Sequence, residues 1–310
     1  MKTIIAPRRI TDNFGDGFDK LFLIMEELRQ LEDGEAVTID MRDCVLLTPF
    51  FLLPFFLVLR KESERRQITI LSRAGDYNFT GYLKEIYFSQ SFNGFEPETY
   101  AGESDAILAS YADKTYLPVI NFPVYRTESS TEIRDHLLSC VNNVLAQQLG
   151  LKGPYRTGVM YLIDEAINNI VDHSGEERGF IFAQYFPSSG YTDICIGDAG
   201  TGILNSYQKA GKTGIITHNE AINSAANGIS TKDRPEAEGR GFGISTSLDM
   251  LVNGLKGKYA LLSGNAFLLK TTLNDEVTTI FGNHIYKGTL VALRVPSGGN
   301  PAFNPTNYFG

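Results

Sequence analysis

A carboxylate and an amide lie four residues apart on one predicted helix, and their types suit a site for a metal-bound phosphate. Apolar residues recur at helical spacing through 159–170, so one face of this helix is committed to a core. Glu165 and Asn169 lie at the edge of that face, and Asp172 and His173 follow on the next turn. An amide oxygen can ligate Mg²⁺, and a carboxylate beside it can orient or deprotonate a nucleophile. The same pattern also occurs on an ordinary solvated helix face. The rest of the chain decides between a phosphate site and such a face.

A glycine-rich turn follows the next predicted strand. Residues 191–197 alternate and carry β-branched side chains, which predicts a strand that runs into Asp198. An aspartate at a strand end can accept a hydrogen bond from an exocyclic amine, while Gly200 and Gly202 allow the backbone to approach a ligand closely. This Asp-x-Gly-x-Gly pattern also occurs in ordinary turns.

A second glycine-rich turn and a late strand complete the pattern. The turn covers 239–243 and precedes a helical apolar pattern over 244–252. Backbone N–H groups at such a helix start form a cradle for anions. Residues 288–295 predict a strand with Thr289 at its start.

These four elements, in this order, resemble the ATP-binding domain of the GHKL superfamily of gyrase-type topoisomerases, heat-shock chaperones, histidine kinases and MutL-type repair proteins. Residues 165–169 match its N box, 198–202 and 239–243 match its two glycine boxes, and 288–289 match the last box. The resemblance covers roughly 115–297. It implies an α/β sandwich in which helices cover one face of a mixed sheet.

The resemblance also implies a role for each matched residue. Asn169 would ligate Mg²⁺, and Asp198 would bind the adenine amine. Glu165 would be the general base or the group that polarises the attacking hydroxyl. Gly200 and Gly202 would line the adenine and ribose pocket, and Thr289 would support the adenine. Gly241 and Gly243 would lie under the phosphates, and Gly239 begins the same glycine box.

The interval 203–238 would be a mobile lid over the nucleotide. Its segment 228–232 is similar to the lid of some sensor kinases, so Lys232 either reaches a phosphate or is a solvated loop lysine. Arg240 and Phe242 lie inside the second glycine box, and Arg240 is a further candidate for a phosphate contact. His173 is interpreted as a residue at a helix C-terminus and not as a catalyst.

Composition restricts the partners and the compartment. The chain has 310 residues, 43% of them apolar, which is enough for a substantial core and predicts two domains. A net charge of -8 argues against binding to a nucleic-acid backbone. Cys44, Cys140 and Cys195 are far apart with no metal-ligand spacing, and no signal peptide is recognised at the N-terminus, so a cytoplasmic protein is expected.

One apolar run, 45–59, could be mistaken for a membrane span. It has fewer residues than the roughly twenty that a span needs, and it contains Pro49 and Pro54. The run predicts a buried helix that is capped by Thr48 and begins at Pro49. A surface that faces a membrane or a partner is the alternative.

Residues 1–95 predict an α/β domain with parallel strands. Helices and strands alternate over 17–32, 35–41, 48–65, 67–71 and 77–89. The strand, turn and long helix over 36–65 resemble the STAS domain of anti-sigma-factor antagonists. The Asp-Ser-x-Gly pattern of that family's phosphoacceptor is missing, and Thr48 is the only hydroxyl at the corresponding place. A generic α/β domain is the alternative.

The remaining boundaries follow from turn-forming residues. Residues 96–114 predict a linker, 115–297 the ATP-binding domain and 298–310 a loose tail. The ATP-binding domain is predicted to open with a strand over 115–124 and a helix over 130–149 that Thr131 caps.

The branch of the superfamily that this chain resembles most is the anti-sigma-factor serine kinases. His136 lacks the context of a histidine-kinase phosphoacceptor and is interpreted as structural. Two functions remain open. One is a regulatory protein that binds Mg-ATP and transfers the γ-phosphate to a Ser or Thr of a partner, such as a STAS-type protein or a sigma-factor regulator. The other is an ATP-gated interaction switch with slow or no hydrolysis. A homodimer would be consistent with both.

Overall fold

A parallel sheet and three helices form the N-terminal part of the chain. The computed structural model describes residues 2–10, 16–73, 79–89, 91–100, 102–231, 243–273, 275–279 and 284–308. Three parallel strands lie in the order β1-β2-β3, and three helices accompany them. The elements are β1 (Lys2–Ile5), α1 (Asp16–Arg29), β2 (Val37–Asp40), α2 (Pro49–Ser63), β3 (Ile68–Leu71) and α3 (Phe79–Glu85). The predicted parallel pairing is confirmed.

A seven-stranded sheet forms the centre of the remaining chain. Its strands lie in the order β4-β5-β6-β10-β7-β8-β9, and every neighbouring pair is antiparallel. The strands are β4 (Ile120–Pro123), β5 (Arg178–Phe186), β6 (Tyr191–Gly197), β7 (Lys258–Gly264), β8 (Ala266–Lys270), β9 (Asp275–Thr279) and β10 (Tyr286–Pro296). The prediction of a mixed sheet is therefore wrong for the described strands.

Helices cover both faces of this sheet, whereas the sequence predicted helices on one face. Because side chains alternate along a strand, Ile194 and Ile196 of β6 enter one core while Cys195 enters the other. The first core contains residues of α5 (Glu128–Leu149), α6 (Gly153–His173) and α9 (Gly243–Asp249). The second core belongs largely to α2 and the N-terminal sheet. Two shorter helices, α7 (Gly202–Lys209) and α8 (His218–Ala226), pack beside the first face.

The position of α2 explains its apolar sequence. It packs against α1 and β3 on one side and against β5, β6 and β10 on the other. Its side chains from Phe50 to Leu57 are buried, so the helix has no solvated face along that stretch. Within the described residues, no helix has the length and apolar character needed to cross a membrane. The prediction of a buried helix is confirmed.

The start of α2 differs from the prediction in one respect. Thr48 occupies the N-cap position and Pro49 begins the helix, but the Thr48 side chain makes no capping hydrogen bond. Only 2% of Thr48 is exposed, so its hydroxyl is not accessible to a phosphorylating enzyme in this structure.

The interval predicted as a linker is folded. It contains a short 3-10 turn (Pro97–Tyr100) and α4 (Ser104–Ala109), whose Leu108 is buried. The Tyr111 hydroxyl donates to the Glu85 carbonyl at 2.6 Å. These contacts join the interval to both neighbouring parts of the chain, which polar and turn-forming residues alone did not indicate.

Capping residues mark where α5 begins and ends, just before α6. The cap of α5 is Thr127, whose side chain accepts a hydrogen bond from the Ser130 N–H, so the predicted cap at Thr131 is wrong. Gly150 ends α5 in the left-handed conformation, at φ +60°, as a glycine C-cap does. A short loop then leads to α6, which begins at Gly153 and ends at His173.

The C-terminal segment also differs from the prediction of a loose tail. Phe303 is buried against Gly158 and Gly254, where an added Cβ atom would lie 2.6 Å and 2.8 Å from its ring. The Asn300 side chain donates to the Gly254 carbonyl, and a 3-10 turn covers Pro305–Tyr308. The missing side chains of two glycines provide the space, which the tail sequence does not reveal.

Candidate functional site

A cavity of about 490 Å³ lies between the C-terminal half of α6, the turn after β6 and the start of α9. Its volume is in the range of cavities that bind small molecules or cofactors. Its lining includes polar side chains: Arg126, Glu165, Asn168, Asn169, Asp172, His173, Asp198 and Thr289. It also includes apolar side chains: Ala166, Ile170, Ile196, Ile203, Ile244 and Val291. The cavity therefore suits a ligand that carries both apolar and strongly polar groups.

Asp198 is a buried carboxylate at the end of β6. Only 1% of the residue is exposed. Its backbone N–H donates to the Thr289 carbonyl at 3.0 Å, which continues the pairing of β6 with β10. The Gly200 N–H donates to the Asp198 Oδ1 atom at 2.7 Å. The strand and the turn thus fix a carboxylate at the cavity wall.

Burial raises the pKa of Asp198 from 3.8 to about 7, because the carboxylate is removed from water. Backbone hydrogen bonds from Gly200 and Thr289 oppose that rise, and the charge of Glu176 adds to it. A carboxylate has more lone pairs than two backbone donors use. A ligand that brings a further N–H donor would stabilise the ionised form.

Close backbone contacts require glycine beside Asp198. A Cβ atom on Gly200 would lie 2.1 Å from the Ser174 carbonyl oxygen. A Cβ atom on Gly288 would lie 2.1 Å from the Asp198 carbonyl oxygen, and Gly288 has φ +93°. Gly202 has φ +75° and lies against the Ser263 hydroxyl, which accepts a hydrogen bond from the Ile203 N–H at 3.0 Å. Both the turn after β6 and the start of β10 therefore depend on missing side chains.

Glu165 and Asn169 lie one turn apart on α6, as their spacing predicted. The Asn169 side-chain N–H donates to the Glu165 Oε1 atom at 3.3 Å. The same Oε1 atom lies 3.1 Å from the place where a Cβ on Gly243 would be. Glu165 therefore faces the start of α9, and any side chain at Gly243 would crowd it.

The C-terminus of α6 is tied to the turn and to α7 by hydroxyl groups. The His173 carbonyl accepts hydrogen bonds from the Thr201 hydroxyl at 3.1 Å and from the Ser206 hydroxyl at 3.2 Å. The His173 Nε2 atom lies 3.4 Å from the Thr231 hydroxyl. His173 is the last residue of α6, which confirms its predicted place in the chain.

Two further contacts shape the cavity. Arg126 forms an ion pair with Asp172, and it brings a cation from the segment after β4 to the cavity lining. The Tyr207 hydroxyl of α7 donates to the Ile229 carbonyl, and burial raises the pKa of Tyr207 to about 12. Tyr207 therefore stays protonated and acts as a donor at neutral pH.

The N-terminal part of the chain reaches the same strand from behind. The Leu57 Cδ1 atom of α2 lies 3.1 Å from the position of a Cβ on Gly197. Gly197 is the last residue of β6 and precedes Asp198. The opposite side of the cavity wall is thus in contact with α2.

The structure brings most of the predicted site residues together. Glu165, Asn169, Asp198, Gly243 and Thr289 line one cavity. Gly200 and Gly202 form the turn beside Asp198. Five predicted residues lie outside the described part of the chain: Lys232, Gly239, Arg240, Gly241 and Phe242.

Sequence reasoning missed several residues of the cavity. Arg126 lines it but was not predicted, and Ser206, Tyr207 and Thr231 line it from within the predicted lid, 203–238, without being singled out. The described part of that interval contains α7 and α8, the latter with a complete capping box at Thr217 and Glu220. The Thr-x-x-Glu spacing in the sequence could have revealed that helix start.

Comparisons with protein-family models, with curated proteins and with solved structures give no match.

Proposed function

We propose that the cavity binds ATP with Mg²⁺, and that the protein is a regulator that transfers the γ-phosphate to a Ser or Thr of a partner protein. The observation that carries this proposal is the buried carboxylate of Asp198 in the same cavity as Glu165 and Asn169. The order of the motifs along the chain, which resembles that of the GHKL superfamily, supports the same ligand.

Asp198 supports adenine as the base. A buried carboxylate discriminates in favour of a ligand that donates a hydrogen bond, and the exocyclic amine of adenine is such a donor. Ile196 and Val291 lie on neighbouring strands and give the cavity an apolar wall for a flat ring. Guanine presents a carbonyl at the corresponding position, so Asp198 would disfavour it.

Glu165 and Asn169 support a metal-bound phosphate beside α6. Their side-chain oxygens are hard donors of the type that Mg²⁺ prefers. Close approach to the Gly243 backbone is compatible with phosphates at the start of α9. When bound, Mg²⁺ would neutralise part of the phosphate charge beside the carboxylates of Glu165 and Asp172.

Glu165 would serve as the proton acceptor in the transfer. The bond between the γ-phosphorus and the oxygen that bridges it to the β-phosphorus breaks, and a bond from the γ-phosphorus to the partner's hydroxyl oxygen forms. The hydroxyl proton passes to the Glu165 carboxylate, and ADP leaves with the bridging oxygen. Asn169 holds Glu165 in place through its side-chain hydrogen bond.

A second candidate function, an ATP-gated interaction switch with slow or no hydrolysis, is favoured by a specific contact. Leu57 of α2 packs behind Gly197, the last residue of β6. The N-terminal part of the chain therefore contacts the strand that positions Asp198. The buried Thr48 hydroxyl is a poor phosphoacceptor in cis. A STAS-like N-terminal domain, as the sequence suggests, would then report nucleotide binding to a STAS-type protein or a sigma-factor regulator. Pairing of two chains is compatible with either function.

The test follows the γ-phosphate of labelled ATP with Mg²⁺ in the presence of host lysate. We expect label on a protein for the wild type, and a loss of about 10²–10⁴-fold in transfer rate for Glu165→Gln. The affinity for ATP should change by no more than about twofold in this variant, because the amide keeps the size of the side chain.

Asp164→Asn is the matched control. Asp164 neighbours Glu165 on α6 but makes a side-chain hydrogen bond with Asn142 of α5. Its replacement should leave transfer intact. Label that remains on ATP or appears only as free phosphate would contradict the kinase and favour the switch. Absence of ATP binding by calorimetry would exclude both functions.

A further inference from the structure

Three side chains with different ligand chemistry meet on the surface, away from the cavity. They are Asp105 of α4 and His136 and Cys140 of α5. The His136 Nε2 atom lies 2.9 Å and 3.0 Å from the two carboxylate oxygens of Asp105. The Cys140 Sγ atom lies 3.7 Å from Asp105 Oδ1 and 4.0 Å from His136 Nε2. An imidazole, a thiol and a carboxylate therefore converge on one point.

Helix geometry accounts for two of the three positions. His136 and Cys140 are four residues apart, so they share one face of α5. The third position comes from tertiary structure, because α4 packs against α5 and presents Asp105 in its first turn. Sequence spacing among the cysteines gave no indication of this cluster.

The separations agree with those of a tetrahedral zinc site. Zinc lies about 2.0–2.1 Å from nitrogen, about 2.0–2.2 Å from carboxylate oxygen and about 2.3 Å from sulfur, which gives edges of roughly 3.3–3.6 Å between ligand atoms. The observed distances of 2.9–4.0 Å span this range. Shifts of a few tenths of an ångström, in partly exposed side chains, would complete the geometry.

We propose that Asp105, His136 and Cys140 bind one Zn²⁺ ion, with water in the fourth position. Thiolate and imidazole select zinc over Mg²⁺ and Ca²⁺, which prefer oxygen ligands alone. The exposure of Asp105 and His136 leaves the fourth position open to solvent. The bound ion joins α4 to α5 and fixes the interval 102–113 against the helix that precedes α6.

This site is independent of the nucleotide. Its residues do not line the cavity, and the proposal holds whether or not the cavity binds ATP. His136 and Asp105 can form an ion pair without a metal. Binding of the ion by the Cys140 thiol is therefore what distinguishes a zinc site from an ordinary surface ion pair.

Titration with Co²⁺ tests the thiol directly. The wild-type chain should bind one Co²⁺ with a thiolate-to-cobalt charge-transfer band and the strong visible bands of a tetrahedral ion, and Zn²⁺ should displace it. Cys140→Ser should abolish the charge-transfer band. His136→Gln and Asp105→Asn should each weaken Co²⁺ binding by about tenfold or more. Asp113→Asn, which removes an exposed carboxylate of the same interval, should have no effect.

Alkylation provides a second measurement that does not depend on the folding of a variant. Cys140 is half-buried, whereas Cys44 and Cys195 are buried at 2% and 0% exposure, so a thiol reagent should label Cys140 selectively in the native chain. Zn²⁺ at a stoichiometric amount should slow this labelling at least tenfold, and Mg²⁺ should not. Unchanged labelling, or a wild-type cobalt spectrum without a thiolate band, would overturn the proposal.

Discussion

The two faces of the seven-stranded sheet differ in what covers them. One face packs against α2, whose side chains from Phe50 to Leu57 are buried in a core rich in phenylalanine and leucine. The other face packs against α6, which has an apolar stripe and a polar edge. The same strands supply both cores through alternate side chains. The cavity of about 490 Å³ that holds Glu165, Asn169 and Asp198 lies on the α6 face. A smaller cavity, of about 350 Å³, lies beside the segment that precedes α2, and Glu85 and Gln184 are among its lining residues.

This difference teaches that the covering helix decides which polar side chains can reach a cavity. The amphipathic α6 leaves polar side chains at the margin of the core, where the larger cavity lies. The stretch of α2 from Phe50 to Leu57 is buried and lines neither cavity. The role of α2 is therefore to support β6 from behind, where Leu57 meets Gly197.

The largest effect is expected on the face that α2 covers. Phe56 is fully buried, and its ring lies 5.3 Å from that of Phe180 of β5 and 5.9 Å from that of Phe88. Phe56→Ala should lower the free energy of unfolding by about 3–5 kcal/mol, because it leaves a cavity in a packed core. Urea unfolding measures this change. Leu23→Ala, at a position 61% exposed on α1, should change it by no more than about 0.5 kcal/mol. Equal losses in both variants would show that α2 is not the core of this face.

Two buried aspartates of one strand region should respond in opposite directions. Asp193 of β6 is paired with Arg294 of β10, with a 2.7 Å bond between Oδ1 and Nε. Asp193→Asn should destabilise the protein by about 3–5 kcal/mol, because a buried guanidinium loses its charged partner. Asp198→Asn should instead stabilise the protein without nucleotide at pH 8, by about 1–3 kcal/mol, because it removes an ionised carboxylate from a buried site.

The same two variants distinguish an effect on stability from an effect on ATP binding. We expect Asp198→Asn to weaken Mg-ATP binding by about tenfold or more, since the adenine amine loses a charged acceptor. Asp193→Asn should leave the affinity of the folded protein unchanged. Calorimetry at a temperature below both unfolding transitions measures the two affinities. Loss of ATP binding in both variants, or in neither, would contradict the role of Asp198.

The smallest effect is a pH dependence. The pKa of Asp198 in the folded state, about 7, lies above its ordinary value of 3.8. At a pH between these two values, the Asp198 carboxyl therefore keeps its proton in the folded state and has lost it in the unfolded state. Its contribution to stability is thus fully present below about pH 4 and is lost as the pH rises through 7. The affinity for ATP should change in the opposite direction and rise severalfold from pH 6 to pH 8, because the ionised carboxylate of Asp198 accepts the hydrogen bond of the adenine amine.

Asp198→Asn should flatten this pH profile. A profile that is unchanged in the variant would assign the dependence to another group, such as His173 at the same cavity or the phosphates of ATP itself. Measuring the affinity for both ATP and adenosine distinguishes the phosphates, because adenosine carries none.

Much of the local structure was predictable from the sequence. The periodicity through 159–170 gave the helix of Glu165 and Asn169, and alternation over 191–197 gave β6 with its bounds. The cap of α5 was placed one turn too late because Thr127 and Thr131 are both plausible caps, and only the hydrogen bond to Ser130 distinguishes them.

The sequence by itself determined α2, α6 and β6, which of these helices is amphipathic and which is apolar, and which glycines flank an acidic strand end. These are local properties, set by the period of the apolar residues and by backbone conformations that only glycine adopts readily. Tertiary structure alone decided that β10 lies between β6 and β7, that α2 is buried between two sheets, and that Asp198 shares a cavity with Glu165. It also placed Asp105 beside His136 and Cys140. An apolar face requires burial but does not specify its partner, so contacts between segments distant in the chain follow only from the packing of the whole molecule.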